Sequence, residues 1–150
     1  MWRKLFILAS KRKGKRPFVD SICLGDLVNE SQDKHSSVAN QNNVILTGIM
    51  GCGKTAVGKR LSYYLGLGFI DLDHFIESSE QRKISDIFAK DGEETFRDIE
   101  RRAVGQMSKV RNHVVSVGGG AVLDDENWDV LSRLGDTIWL NTPSSELARR

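Results

Sequence analysis

From Asn43 onward the chain alternates short apolar runs with longer amphipathic stretches. Residues 1 to 40 lack sustained periodicity and end in the polar run "NESQDKHSSVANQNN", which reads as a linker. Val44-Ile45-Leu46 is a continuous run of β-formers, as a parallel strand covered on both faces requires, and it enters a Gly-rich loop directly. Val57, Leu61, Tyr64 and Leu65 then share one helical stripe, with Gly66 placed as the C′ residue. Phe69-Ile70 predicts a short second strand running into Asp71-Leu72-Asp73. Between Glu93 and Val110 the apolar positions Phe96, Ile99, Ala103, Met107 and Val110 step by threes and fours, which predicts an amphipathic helix. Val114 to Val117 predicts a third strand, stopped by Gly118-Gly119-Gly120. Trp128, Leu131 and Leu134 predict a helix closed by Gly135, and Thr137 to Leu140 a fourth strand. Strands alternating with helices predict an α/β fold, a parallel sheet with helices on both faces.

This pattern sets a domain at residues 43–150 behind a basic, disordered extension at 1–42. Thr142-Pro143 is a good N-cap and N1 pair, so a further helix is expected there. The sequence stops at Arg150 after about two turns, less than a helix sustains alone, so the domain is expected to be C-terminally incomplete.

Composition changes the picture in one respect. The 39% hydrophobic and 28% charged residues are those of a soluble globular protein. The net charge of +2 is uneven: residues 1–16 hold seven Lys or Arg and no acid, leaving 15 basic against 20 acidic residues, a balance of −5. The basic character belongs to the tail, which is expected to be solvated rather than bound to nucleic acid or a membrane. Cys23 and Cys52 have no CxxC spacing, and His35, His74 and His113 no ligand spacing, so neither a disulfide nor a zinc framework is expected. The apolar run Leu5 to Ala9 is too short for a secretory core or a membrane span. A cytoplasmic location is expected. A plastid one is the alternative should the extension be a transit peptide, for which its Lys-rich "KRKGKR" and single serine before Asp20 are a poor match.

The chemistry begins in the first loop. "GIMGCGKT", residues 48–55, fits Gly, four residues, Gly, Lys, Ser or Thr, and lies between a buried-type strand and a helix, the context that makes the pattern a phosphate loop. Gly48, Gly51 and Gly53 let backbone N–H groups converge with the helix N-terminus on phosphates, and Cys52 and Ala56 lie in the same cradle. Lys54 supplies a cation for the β and γ oxygens, and the Thr55 hydroxyl can ligate Mg²⁺. Cys52 is expected to react with alkylating agents and to be protected by ATP, since helix N-termini favour thiolates.

Asp71 and Asp73 sit at the end of a strand, on the edge where open α/β sheets bind ligands. One could hold Mg²⁺ through water and the other accept a proton, or both could merely cap the next helix. Arg97 and Glu100, at i and i+3, are either part of a salt-bridged surface or a guanidinium braced to grip a substrate carboxylate through two hydrogen bonds. Gly118 to Gly120 either turns the chain or brings backbone N–H groups to a ligand.

GxxGxGKT at 48–55, Asp71-x-Asp73, Phe96-Arg97-x-x-Glu100 and Gly118-Gly119-Gly120, in this order, resemble shikimate kinases over residues 43–150. The resemblance extends to "ISDIFAKDGEETFR" and "VVSVGGGAVL". It implies a P-loop kinase fold with a five-stranded parallel sheet, of which four strands are legible, and a monomer that moves the γ-phosphoryl of ATP to the 3-hydroxyl of shikimate. It further implies that Lys54 and Thr55 serve phosphate and Mg²⁺, that Asp71 reaches the metal through water, and that Asp73 holds the substrate hydroxyls and acts as base. Arg97 would grip the substrate carboxylate, Gly119 and its neighbours would donate backbone N–H groups, Glu100 would hold the site in place, and Arg150 would begin the adenine side. Ser116 departs from the general pattern of an Asp ending the third strand, and the family commonly carries a small hydroxyl residue there. The family's lid arginine, second carboxylate-binding arginine and fifth strand would follow Arg150. Three rivals stand beside this resemblance: another small-metabolite kinase such as a gluconate kinase, a non-catalytic protein that binds nucleotide and shikimate, and a protein whose basic tail carries the function as a nucleic-acid or surface contact.

Overall fold

The computed structural model describes residues 6–10, 21–23 and 43–141. Strand β1 (Phe6–Ser10) and strand β2 (Ser21–Cys23) come first. They are followed by β3 (Asn43–Thr47), α1 (Lys54–Leu65), β4 (Gly68–Asp71), α2 (Leu72–Glu80) and α3 (Ile84–Met107). β5 (His113–Ser116), α4 (Asp125–Leu134) and β6 (Gly135–Asn141) complete the order.

The sheet runs β2-β1-β6-β3-β5-β4. Its four strands β6, β3, β5 and β4 are mutually parallel, with Ile45 beside Val115 on one side and Thr137 on the other. That is the expected α/β architecture. On one face Ile45, Val115 and Val117 are buried with Leu72 and Ile76 of α2, Phe96, Ile99, Ala103 and Met107 of α3, and Leu131 of α4. On the other, Cys52 and Leu140 are buried with Val57 of α1 and Ile138.

Several details differ from the sequence pattern. No strand was expected before Asn43, yet β1 pairs antiparallel with β6 from Phe6–Asn141 to Ser10–Thr137, and β2 pairs with β1. β6 would otherwise present an unpaired ladder, and the apolar run Phe6 to Ala9 suits a strand. Beyond the helix start that Asp71 and Asp73 could cap, α2 and the first part of α3 have no periodic signal in the sequence. Each is about two turns long and buries only Leu72 and Ile76, or Ile87, too few positions to show a period. The expected helix from Glu93 is the second part of α3, set off by a break at Gly92 with φ 84°.

On α1 the predicted stripe is only half right: Val57 and Leu61 are half-buried, but Tyr64 is 78% exposed, and the buried positions are Gly58 and Ser62. The glycine removes the side chain that would separate this helix from Phe69. Gly66 ends α1 in the left-handed region as expected, its N–H bonded to the Ser62 and Tyr63 carbonyls. Gly135, by contrast, is the extended first residue of β6, where a Cβ would strike the Asn43 backbone.

Asn43 itself, read as the end of a linker, is fully buried. Its Nδ2 donates to the carbonyls of Val110 (2.8 Å) and Leu134 (3.1 Å), and its Oδ1 accepts from the His113 N–H (2.9 Å). The end of the sheet farthest from the Gly-rich loop is thus pinned by one side chain. Thr142 to Arg150, including the expected helix start and Arg150 itself, lies outside the described residues.

Candidate active site

At the carboxyl edge of the parallel strands, three consecutive connections converge on one cavity of about 970 Å³. The β3–α1 loop contributes Gly48, Gly51 and Gly53 and the first turn of α1 Lys54, Thr55 and Ala56; the end of β4 contributes Asp71 and the first turn of α2 Asp73; the loop after β5 contributes Gly118, Gly119 and Gly120. Residues 70 positions apart in sequence are neighbours here because each parallel strand ends at this edge.

The phosphate loop depends on its glycines: Gly51 and Gly53 have φ of 79° and 91°, which L side chains rarely adopt. The Lys54 ammonium folds back onto the carbonyls of Gly48 (2.9 Å) and Ile49 (3.1 Å), and its Nζ is 4.0 Å from the Cys52 sulfur. Cys52 does not line the cavity and is 1% exposed, covered on the Leu140 side. Burial closes it to bulky alkylating agents, which corrects the expectation of an accessible thiol.

Asp71 resolves one of the open alternatives. It occupies the N-cap position of α2 but makes no capping hydrogen bond with its side chain; instead its Oδ2 accepts from the Thr55 hydroxyl at 2.8 Å. Two oxygen ligands of the kind Mg²⁺ prefers therefore sit together, and such sites need only one or two protein oxygens beside phosphates and water. Among the described residues no group of three or more His, Cys, Asp or Glu is placed to hold a metal.

Asp73, in the first turn of α2, is held above the ordinary carboxylate range first by burial and then by the nearby charges of Asp71 and Glu77, with Lys54 pulling the other way. Its charge also reaches Glu100.

Glu100 faces the core from α3 and is 3% exposed. Burial raises its pKa, while the hydrogen bond and charge of Arg97 oppose the rise. The Arg97 guanidinium donates from Nη1 to Glu100 Oε2 (2.9 Å) and from Nη2 to Glu93 Oε1 (3.0 Å), and it lies 5.5 Å from the Phe96 ring centroid. Arg97 does not itself line the cavity. It stands against Gly120, where a Cβ would come within 2.8 Å of Nη1, so the glycine is what lets the guanidinium close on the cavity wall. The Arg97–Glu100 pair is thus half-buried and braced, not a solvated surface pair.

The shikimate kinase family model matches residues 50–150. The chain belongs to the shikimate kinase family. It is 44% identical over 108 residues to the shikimate kinase of Persephonella marina, covering 72% of this chain and 66% of that protein. With the enzyme of Parabacteroides distasonis it shares 43% over 107 residues, covering 71% and 62%. The solved structure of the shikimate kinase from Acinetobacter baumannii in complex with shikimate superposes with a TM-score of 0.71 at 36% identity, covering 74% of this chain and 62% of that one. The shikimate kinase from Bacteroides thetaiotaomicron gives 0.69 at 38%, covering 73% and 62%. The chain therefore spans between 62% and 66% of the length of these relatives.

Against this shikimate kinase framework the cavity holds residues that no sequence motif marks. Trp128 and Trp139 form part of its wall, and the Thr47 hydroxyl, also lining it, is buried without a hydrogen-bond partner among the described residues. The helix spacing around Trp128 and the strand alternation around Trp139 mark both only as apolar positions. Glu93, four residues before Arg97, is visible in sequence only as one charge among many. Among the described residues no helix is long and apolar enough to cross a membrane.

Proposed function

We propose that this chain carries the nucleotide- and acceptor-binding parts of an enzyme that transfers the γ-phosphoryl group of ATP to the 3-hydroxyl of shikimate. The observation that carries the reading is that Asp73 and the three glycines line the cavity that the phosphate loop opens into, with the Arg97–Glu100 pair standing directly behind Gly120. A nucleotide alone needs none of these three; an acceptor with both a carboxylate and hydroxyls needs all of them.

The loop N–H groups and Lys54 would take the phosphates. Thr55 and Asp71, already in contact, would hold Mg²⁺, which neutralises charge developing between the β- and γ-phosphates. Arg97 would fix the acceptor carboxylate and Gly118 to Gly120 its ring. Asp73 would receive the hydroxyl proton as that oxygen bonds to the γ-phosphorus and the bond to the ADP oxygen breaks. A carboxylate raised above its usual range is the better proton acceptor near neutrality, provided it is still ionised there.

An acceptor panel tests this: the full chain is incubated with MgATP and shikimate or gluconate, with ADP release and equilibrium binding both followed. Shikimate-dependent ADP release supports the assignment. Phosphorylation of gluconate and not shikimate would overturn it, and binding of ATP and shikimate without ADP release would leave a binding protein in place of an enzyme.

A further inference from the structure

We propose that Glu93 is an internal competitor for the substrate-binding edge of Arg97, occupying Nη2 until a carboxylate-bearing ligand displaces it. The inference rests on the assignment of Arg97 to an acceptor carboxylate. Its evidence is the inequality of the two carboxylates on one guanidinium. Glu100 meets Nη1 at 2.9 Å with a side chain only 4% exposed, whereas Glu93 meets Nη2 at 3.0 Å with a side chain 69% exposed. Glu100 is enclosed by the core and cannot withdraw without leaving a buried charge. Glu93 directly follows the Gly92 break, in the opening turn of the second part of α3, and its carboxylate returns to water at little cost. Exposed pairs at this spacing contribute little to stability.

Charge favours displacement. One guanidinium and two carboxylates already sum to −1, and Asp73 adds a further neighbouring charge. A third carboxylate approaching Arg97 in the two-bond manner meets the repulsion of both glutamates, and Glu93 already holds one of the guanidinium's five N–H donors. Departure of Glu93 releases that N–H and leaves a neutral Arg97–Glu100 pair, so the repulsion falls. Glu93 is therefore a positioning residue whose presence weakens ground-state binding and keeps the guanidinium turned toward Gly120 when the cavity is empty.

The test is calorimetric titration of the full chain and of its Glu93→Gln variant with shikimate and with shikimate methyl ester. The expected result is shikimate binding about two- to fivefold tighter in the variant, with methyl ester binding unchanged, since the ester brings no charge to compete. Weaker or equal shikimate binding in Glu93→Gln overturns the proposal, as does an equal gain for acid and ester. If the unaltered chain binds neither compound, the assignment of the acceptor fails first and the competitor role falls with it. Glu93 is exposed, so a thermal midpoint within a degree or so of the parent verifies that the variant is folded.

Discussion

Replacing Arg97 by alanine strands a carboxylate rather than merely removing a surface ion pair. Glu100 is 3% exposed and its hydrogen bond comes from Arg97 Nη1. Burial pushes its pKa up and Arg97 pulls it down, so in Arg97→Ala only the upward push is left. Removing one partner of a fully buried pair costs about 3–5 kcal/mol. Because the Arg97 side chain is 32% exposed, water can enter the vacated space, and we expect about 2–3 kcal/mol at neutral pH.

The pH dependence carries the stronger test. A carboxylate whose folded pKa lies above its unfolded one binds more protons in the native state, so its contribution to stability falls as pH rises from the ordinary carboxylate value through the raised one. In Arg97→Ala that window is wider, so the deficit relative to the parent is small at about pH 5 and fully developed at about pH 8. Urea unfolding at both pH values measures it, with Arg97→Ala/Glu100→Gln as the partner variant. The double variant is expected to recover most of the loss at the higher pH, because a neutral amide has no charge to strand. A deficit that does not change with pH, or a double variant equal to the sum of the singles, would refute the picture of a buried carboxylate held by its arginine.

Two further expectations follow from the same geometry. Asp73→Asn removes a carboxylate whose charged form burial disfavours, so under the proposed transfer it is expected to abolish shikimate-dependent ADP release while raising the thermal midpoint at neutral pH; in the parent, the acid limb of kcat/KM is then expected above the pH at which an ordinary aspartate would set it. Gly58→Ala, which on an exposed helix would stabilise by about 1 kcal/mol, is expected to destabilise by about 1–3 kcal/mol because its Cβ enters the Phe69 ring, and a higher urea midpoint in that variant would show the helix moves aside at no cost.

The parallel core of the fold was legible because its strands are continuous apolar runs and because the second part of α3 repeats its apolar positions over more than three turns. The site was legible for a different reason: phosphate chemistry demands glycines at fixed offsets from a lysine and a hydroxyl. What stayed hidden is set by neighbours distant in the chain. No local pattern tells whether Asp71 caps α2 or faces Thr55, and its missing capping bond is visible only once Thr55 is beside it. Likewise, the exposed Tyr64 and buried Ser62 invert the usual preference, since Gly58 decides which side of α1 meets the sheet. Cys52 shares its loop with residues that line the cavity, and only the position of Leu140 reveals that it points away. The antiparallel strands β1 and β2 depend on an edge that β6 offers more than 110 residues later.

Asn43 sets a rule for anyone trimming or rejoining this chain. Its amide joins groups 67, 70 and 91 residues away, so it staples together the arrival points of two helices and the departure of a strand. A shortened version that begins at Val44 would retain almost the whole of β3 and still lose the closure of two connections, α3 to β5 and α4 to β6, whereas one that keeps Asn43 would retain these bonds.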